Sequence, residues 1–316
     1  MSRKCLVVGG SGFIGSNLVA HLLEHGFSVR VFDRTLPQVV DTQSSRASDV
    51  LEFVAGDFLS LDDVNQAMDG CDYCVHLVTT TMPQSSNENM IFDIETNLIG
   101  AIGLLNAAVN HKLKKFIFLS SGGTVYGSPE YLPIDENHAT NPMSSYGVTK
   151  LAIEKYMALY NTLYSLDSVV LRLANPYGEG QRAGGSQGAV AAFINKSITG
   201  EVVEIWGDGS IIRDYIYIDD VSEAIISAIE SKSSCKVFNI GTGVGSSLLD
   251  IIKIIEQQTG LNVKTKHHPT RSFDVPANVL DISLSHKELC WQPKISLSEG
   301  VLRTFNWMNN APTLKQ

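Results

Sequence analysis

Within its first fifteen residues the chain runs from an apolar stretch, Cys5–Val8, through Val7-Val8-Gly9-Gly10-Ser11-Gly12-Phe13-Ile14-Gly15 into a helical pattern. That pattern spans Gly15–His25, with Leu18, Leu22 and Leu23 on one face. Glycines spaced GxxGxxG at a strand-to-helix junction constrain the fold more than any other feature. They allow a tight turn and let the backbone approach a pyrophosphate at a helix N-terminus, where N–H groups and the helix dipole favour an anion. Glycines alone are weak evidence; an apolar strand before them and a helix after them supply the required context.

The next strand-like run, Ser28–Phe32, ends at Asp33, the spacing expected of a carboxylate that bonds the adenosine ribose hydroxyls. A carboxylate there repels a 2′-phosphate, so the sequence predicts NAD over NADP, a preference that Arg34 weakens. Asp57, in Gly56-Asp57-Phe58, ends the following strand. It either bonds the adenine amino group or caps a helix.

Further short strands are expected at Leu51–Ala55, Tyr73–Val78, Phe116–Ser120 and Ser168–Leu173, and helices at Asp62–Met68, Ile91–Asn110 and Ser145–Tyr164. Repeated βα units predict an α/β fold, a Rossmann-type doubly wound parallel sheet with helices on both faces. After Asn175 the pattern changes. Pro176–Gly188 is glycine-rich, Val190–Ile198 and Leu248–Gly260 look helical, Trp206–Ser210 reads as a turn and Tyr215–Ile218 as a short strand. The expected division is a dinucleotide-binding domain at 1–174, rejoined by 214–243, and a smaller C-terminal substrate-binding lobe at 175–316.

Bulk composition narrows the function. The 316 residues are 44% hydrophobic, enough for a large core. The net charge is -9, and no Lys/Arg cluster occurs beyond Lys112, Lys114 and Lys115, so no nucleic-acid partner is expected. No uninterrupted apolar run reaches the ~18 residues of a membrane span. Arg3 and Lys4 before an apolar run imitate a signal peptide, but glycines break the run. Five irregularly spaced cysteines suit reduced thiols and a cytoplasmic setting. Cys71 and Cys74 form a CxxC without a second pair, so no metal site is expected.

Tyr146 and Lys150 stand four residues apart on a predicted helix and share a face. Tyrosine ordinarily ionises near pKa 10, too high for a base at neutral pH. A nearby ammonium and a positive nicotinamide ring both favour the phenolate. Bringing the pKa near neutrality takes roughly 4 kcal/mol of differential stabilisation. A phenolate so placed removes a hydroxyl proton while hydride leaves for the nicotinamide. The spacing is common by chance; the glycine loop upstream gives it weight.

Taken in order, these segments resemble the extended short-chain dehydrogenase/reductase family, in particular its NAD-dependent nucleotide-sugar epimerases and dehydratases. The resemblance covers nearly the whole chain. Beyond the glycine loop, Gly56-Asp57-Phe58 and His76-Leu77, it rests on Ser120-Ser121-Gly122-Gly123-Thr124-Val125-Tyr126-Gly127 and Tyr146-Gly147-Val148-Thr149-Lys150. It continues through Arg172-Leu173-Ala174-Asn175-Pro176-Tyr177-Gly178, Gly207-Asp208-Gly209, Arg213-Asp214-Tyr215 and Phe238-Asn239-Ile240-Gly241. UDP-hexose 4-epimerases are the most similar branch.

The resemblance implies a cycle in which Tyr146 takes the proton of the sugar 4-hydroxyl and tightly bound NAD takes the C4 hydride. The keto sugar turns over and hydride returns to its opposite face. It implies a cofactor site at Gly9, Gly12, Phe13, Ile14, Gly15, Asp33, Arg34, Asp57, Phe58, Leu77, Tyr146, Lys150 and Pro176. Asn175, Arg213 and Arg271 match positions that bind the diphosphate of a nucleotide-diphosphate sugar. Gln187 and Gly188 match a loop near its base. Arginine suits a diphosphate because its planar fork bonds two oxygens. A homodimer built on helices 91–110 and 145–164 is also implied.

Two departures stand out. The usual catalytic Ser/Thr position holds Gly122, so Ser121 or Thr124 is expected to substitute, Thr124 being preferred. The Asp-Glu pair usual in dehydratases is replaced by Gly123 and Thr124, which disfavours water loss. Asn278 stands where glucose-restricted epimerases carry a bulky aromatic, and predicts room for a 2-N-acetyl group. The loop Thr79–Asn89 is expected to line the sugar pocket. The main alternative is an NAD(P)H-dependent nucleotide-sugar 4-ketoreductase. A catalytically silent NAD-binding regulator is a further one, against which intact Tyr146 and Lys150 argue.

Overall fold

The structure, a computed structural model, describes residues 3–35, 50–181, 188–270 and 275–310. The first half builds β1 (Lys4–Val8), α1 (Phe13–Glu24), β2 (Ser28–Asp33), β3 (Leu51–Ala55), α2 (Leu61–Met68) and β4 (Tyr73–His76). There follow α3 (Pro83–Glu88), α4 (Met90–Asp93), a π-helical turn (Ile94–Ile99), α5 (Gly100–Asn110), β5 (Lys115–Ser121), α6 (Ser145–Tyr164) and β6 (Ser168–Leu173). The second half adds β7 (Asn175–Tyr177), α7 (Ala189–Thr199), β8 (Val203–Trp206), β9 (Ile212–Tyr217), α8 (Ile218–Glu230), β10 (Val237–Ile240) and β11 (Gly245–Ser247). It ends with α9 (Leu248–Thr259), β12 (Thr265–His268), β13 (Ala277–Asn278), α10 (Ser283–Leu289) and α11 (Leu297–Asn310).

The main sheet is parallel and seven-stranded, in the order β10-β6-β5-β4-β1-β2-β3. Its central strands are mostly apolar and buried because both faces are covered, while β2 and β3 toward the edge carry Arg30 and Glu52. Along β1, Cys5 and Val7 enter one core with Leu18, Leu22 and Ile225; Leu6 and Val8 enter the other with Val64, Leu104 and Met157. Helices α1 and α8 therefore cover one face, and α2, α5 and α6 the other. The chain leaves β1 toward β2 and β3, then returns to place β4 on the other side of β1. Crevices for ligands open at such reversals, beyond the carboxyl ends of the strands.

Strand β10 comes from the second half yet completes the main sheet beside β6. The remaining strands form smaller sheets: β9 pairs with β7, β11 and β13, and β8 with β12. Residues 90–110 run as one helix of mean hydropathy 1.2, long and apolar enough by composition to cross a membrane. Here its inner face is part of the core, while Ile91 and Ile99 are exposed. Asp93 is buried in a hydrogen-bond network and Leu104 and Leu105 are buried under the sheet.

Several elements differ from the sequence reading. The long helix contains the π turn, which apolar periodicity does not distinguish from an α-helix. Thr79–Asn89 is not all loop: Pro83, at an N-terminal position where its missing N–H costs nothing, starts α3. Ile218, read as the end of a strand, opens α8, with Asp219 and Asp220 in its first turn.

Candidate active site

A cleft of about 1630 Å³ lies over the carboxyl ends of β1, β4 and β5 and extends between the two halves of the chain. At one end stand Ser11, Gly12, Phe13 and Ile14, at the start of α1. Gly9 has φ +88°, a left-handed conformation that glycine adopts freely. A Cβ on Gly15 would lie 2.3 Å from the Gly9 carbonyl oxygen, so only glycine lets α1 start this close to the turn. Gly12 caps α1 with no side-chain bond and no acidic residue follows in the first turn, which leaves the helix end open to an anion. The Asp33 carboxylate accepts from Ser11 N at 3.0 Å and from Arg34 N at 2.7 Å, and stands on the cleft wall. These features fit a dinucleotide: a pyrophosphate cradle with an acidic group one strand away.

Other residues expected to contact the cofactor lie behind that wall. Gly9 and Gly15 shape the turn from behind. Arg34 Nη2 bonds Asp57 Oδ2 at 3.0 Å, an exposed pair at the strand ends. Its guanidinium is therefore engaged by a carboxylate. The Phe58 ring is buried under the π turn, packed against Gly100 and 6.0 Å from the His76 ring. Leu77 and Pro176 are on the wall.

In the middle of the cleft are Tyr146, Lys150, Ser121 and Thr124. Ser144 starts α6 by accepting from Gly147 N at 3.2 Å. Lys150 is buried; its Nζ donates to the Leu119 carbonyl oxygen at 2.9 Å and sits 4.6 Å above the Phe118 ring. Burial lowers its pKa to about 8, against the opposing charges of Glu154 and Asp93. Tyr146 departs from expectation: burial, and then the charge of Asp93, raise its pKa to about 12. The sequence pattern showed the ammonium one helical turn away. It did not show that a buried carboxylate faces the same phenol.

Gly122 faces away from the cleft. A Cβ there would lie 2.6 Å from Leu280 Cδ1 and 3.2 Å from the Arg172 carbonyl oxygen. Thr124 Oγ1 is buried with no hydrogen-bond partner among the described residues. A buried hydroxyl without a partner is costly, and this one belongs to a residue of the cleft wall.

At the far end are Asn175, Gly188 and Arg213. Asn175 Nδ2 donates to the Asp214 carbonyl oxygen at 2.9 Å, and Arg213 Nη1 to the carbonyl oxygens of Ile212 and Val275 at 2.8 Å each. Gln187 and Arg271 lie outside the described residues. Asn278 is buried beside Arg213 on β13, its amide donating to the Gly122 carbonyl oxygen at 3.1 Å. It stands behind the cleft wall, because its strand turns it toward Gly122.

Sequence reasoning missed the apolar end of the cleft, where Phe193, Trp206, Tyr215, Leu248 and Trp307 converge. Trp206 stacks on His268 with ring centroids 5.2 Å apart. It precedes Gly207-Asp208-Gly209, a signal that could have found it. Leu248 and Trp307 arrive from helices far apart in the chain, and no local pattern marks them.

Under the site, Arg172 and Glu154 form a buried ion pair at 2.7 Å. Glu154 also accepts from Ser120 Oγ at 2.5 Å, and Arg172 donates to Tyr126 Oη at 3.0 Å, which in turn donates to Asn239 at 2.7 Å. Every member has a partner, as a buried ion pair requires. The network ties β5, β6, α6 and β10 together beneath Tyr146.

Comparison with known proteins agrees with this architecture. A UDP-glucose 4-epimerase from Mycolicibacterium smegmatis is 34% identical over 309 residues, covering 97% of this chain and 99% of that one. The crystal structure of UDP-glucose 4-epimerase from Thermotoga maritima with UDP-glucose superposes with a TM-score of 0.89 at 35% identity, covering 97% and 98%. A dTDP-4-dehydro-6-deoxyglucose reductase from Escherichia coli is 31% identical over 313 residues, covering 94% of each chain. Residues 5–241, which carry the glycine turn, Tyr146, Lys150 and Arg213, match the family as a continuous block. The chain therefore belongs to the NAD dependent epimerase/dehydratase family.

Proposed function

We propose that the chain is a nucleotide-sugar 4-epimerase, acting on UDP-glucose and UDP-galactose or an N-acetylated analogue. The observation that carries this reading is the shared cleft. An anion-binding helix end, the Tyr146–Lys150 pair, the unpartnered Thr124 hydroxyl and Arg213 follow one another along it. When bound, NAD supplies a hydride acceptor and a positive ring. Tyr146 takes the proton of the sugar 4-hydroxyl and later returns it. The Thr124 hydroxyl gains the partner it lacks and orients that same oxygen. The Lys150 ammonium favours the phenolate, in opposition to burial and Asp93. Asn175, Arg213 and Arg271 hold the diphosphate, and Gln187 and Gly188 lie near the nucleotide base, while the sugar turns.

The second reading is a 4-ketoreductase on the same scaffold. It is favoured by Gly122 and by the likeness to the E. coli reductase. The test is incubation with UDP-glucose, UDP-N-acetylglucosamine and a dTDP-4-keto-6-deoxyhexose, each with and without NADH. The 4-epimer formed without NADH supports the epimerase. NADH consumed in proportion to keto sugar reduced supports the reductase.

We also place a homodimer contact on α4–α5 and α6. Ile91, Ile99, Leu159 and Leu163 are 65%, 57%, 46% and 60% exposed there, a large apolar surface for two neighbouring helices.

A further inference from the structure

Asp93 stands where three parts of the site meet. It has no exposed surface, rare for a carboxylate. Its Oδ1 accepts from the Thr81 hydroxyl at 2.5 Å and the Asn97 amide at 2.9 Å. Its Oδ2 accepts from the hydroxyls of Ser145 and Thr149 at 2.7 Å each. Four donors fill its acceptor sites, the condition under which a charge tolerates burial. Burial opposes ionisation, but these bonds outweigh it and hold the carboxyl below the usual range.

The donors come from separate segments. Thr81 belongs to the stretch after β4, whose Thr79 and Met82 line the cleft. Asn97 lies in the π turn, a feature that recurs at functional sites, and its Oδ1 accepts from Thr80 N at 2.9 Å. Ser145 and Thr149 flank Tyr146 on α6, and Thr149 directly precedes Lys150. Helix α3 closes the same ring: Ser86 Oγ accepts from Tyr146 N at 2.9 Å and Asn87 Oδ1 from Ser145 N at 2.8 Å.

We propose that Asp93 is a positioning residue for the reaction, its carboxylate fastening the first turns of the Tyr146–Lys150 helix to the cleft wall at Thr79–Met82. This rests on Tyr146 being the base. Misplacing a reacting group by about 1 Å costs on the order of 100-fold in rate, so a rigid link between helix and wall matters for kcat. The charge also reaches the pair. Tyr146 is faced by Asp93 and, across its ring, Lys150; Lys150 is faced by Asp93, Glu154 and His76. A carboxylate raises the pKa of both groups, so a neutral amide in its place lowers both.

The test compares Asp93→Asn and Ser145→Ala with the wild-type holoenzyme. It uses pH–rate profiles and hydrogen exchange of segments 79–89 and 144–150. For Asp93→Asn we expect kcat to fall about 10-fold or more while KM changes less than about 3-fold. Both limbs of the kcat profile move to lower pH, and exchange rises in both segments together while β1 and β5 keep their protection. Ser145→Ala keeps the charge, so its smaller kcat loss leaves the limbs in place. If Asp93→Asn does not fold, the Ser145→Ala/Thr149→Ala double variant, which keeps the carboxylate but frees α6, is expected to reproduce the kcat loss. Wild-type kcat and exchange in Asp93→Asn overturn the proposal, as does a lost kcat with unmoved limbs and uncoupled exchange. If the wild type turns over no nucleotide sugar, the functional reading has failed; coupled exchange of the two segments still decides the role of Asp93.

Discussion

Lys150 Nζ donates to the Leu119 carbonyl oxygen at 2.9 Å and lies 5.6 Å from the centroid of the Tyr146 ring. The ammonium is anchored to the sheet and offers the phenol its charge rather than a hydrogen bond. That arrangement fixes the expected pH behaviour. With a pKa near 8, Lys150 loses its charge just above neutrality, so turnover declines as pH rises through about 8. Replacing it with Met removes that limb. The residual rate should instead climb with pH, because only the raised Tyr146 group, near 12, then titrates. Tyr146→Phe should lose about 100- to 10,000-fold in kcat at every pH while retaining bound NAD. Steady-state rates from pH 6 to 10 check all three; a Lys150→Met profile that parallels the wild type counts against the assignment.

A second prediction separates two neighbouring positions. Restoring serine at 122 looks like a repair, but its Cβ would meet Leu280 Cδ1 at 2.6 Å, away from the cleft. Gly122→Ser is expected to destabilise the fold by about 1–3 kcal/mol through overpacking and to leave kcat no higher than wild type. Thr124→Val, which removes the unpartnered hydroxyl but keeps its shape, is expected to cost at least about 10-fold in kcat with a thermal midpoint equal to or above that of the wild type. Thermal unfolding and turnover on the same preparations decide between them; a faster Gly122→Ser enzyme would return the missing hydroxyl to position 122.

How much of this was legible in the sequence follows from range. The glycine turn, Asp33 and the Tyr146–Lys150 face are local patterns, set by spacing along one strand or helix, and the structure brings them to one cleft. Strands Leu51–Ala55 and Ser168–Leu173 and helix Ser145–Tyr164 match residue for residue, because turns bound short apolar runs sharply. What escaped depends on long-range contacts. The orientation of Gly122 is set by Leu280, and the burial of Asn278 by the Gly122 carbonyl. The raised pKa of Tyr146 depends on its burial and then on Asp93, 53 residues upstream in a helix where one carboxylate looks like any solvated charge. The wall formed by Leu248 and Trp307 has no local signature at all.

The apolar face of α4–α5 and α6 yields a third expectation. Leu163→Lys together with Ile99→Glu puts charge into the middle of that surface without touching the cleft. Both side chains are largely exposed in the single chain, so the fold should lose less than about 0.5 kcal/mol. Sedimentation velocity of the wild type should give a dimer and that of the double variant a monomer. Two species of equal size would place the contact elsewhere.

His76 supplies the last prediction. It ends β4 in an aromatic box, stacked on Phe118 at 5.4 Å and flanked by the rings of Phe116 and Phe58, and its Nδ1 is buried without a partner among the described residues. Burial, and then the charge of Lys150, hold its pKa down to about 3. In the unfolded chain the ring titrates near 6.5. Below that pH the unfolded chain binds a proton that the folded chain refuses, so stability falls as pH drops from about 6.5 toward 3, and is unaffected by His76 above 6.5. The full span is worth about 5 kcal/mol, of which about 2 kcal/mol is lost by pH 5. Asp93 does not interfere between about pH 7.5 and 5, since the stability gained from its lowered pKa starts to be lost only as pH falls toward the ordinary carboxylate value near 4. In His76→Leu the fall in urea stability between pH 7.5 and pH 5 should therefore be smaller than in the wild type by about 2 kcal/mol. The other seven of the eight histidines contribute equally to both proteins. Parallel stability curves for the two would mean that His76 is protonated in the folded chain and that the aromatic box does not exclude the charge.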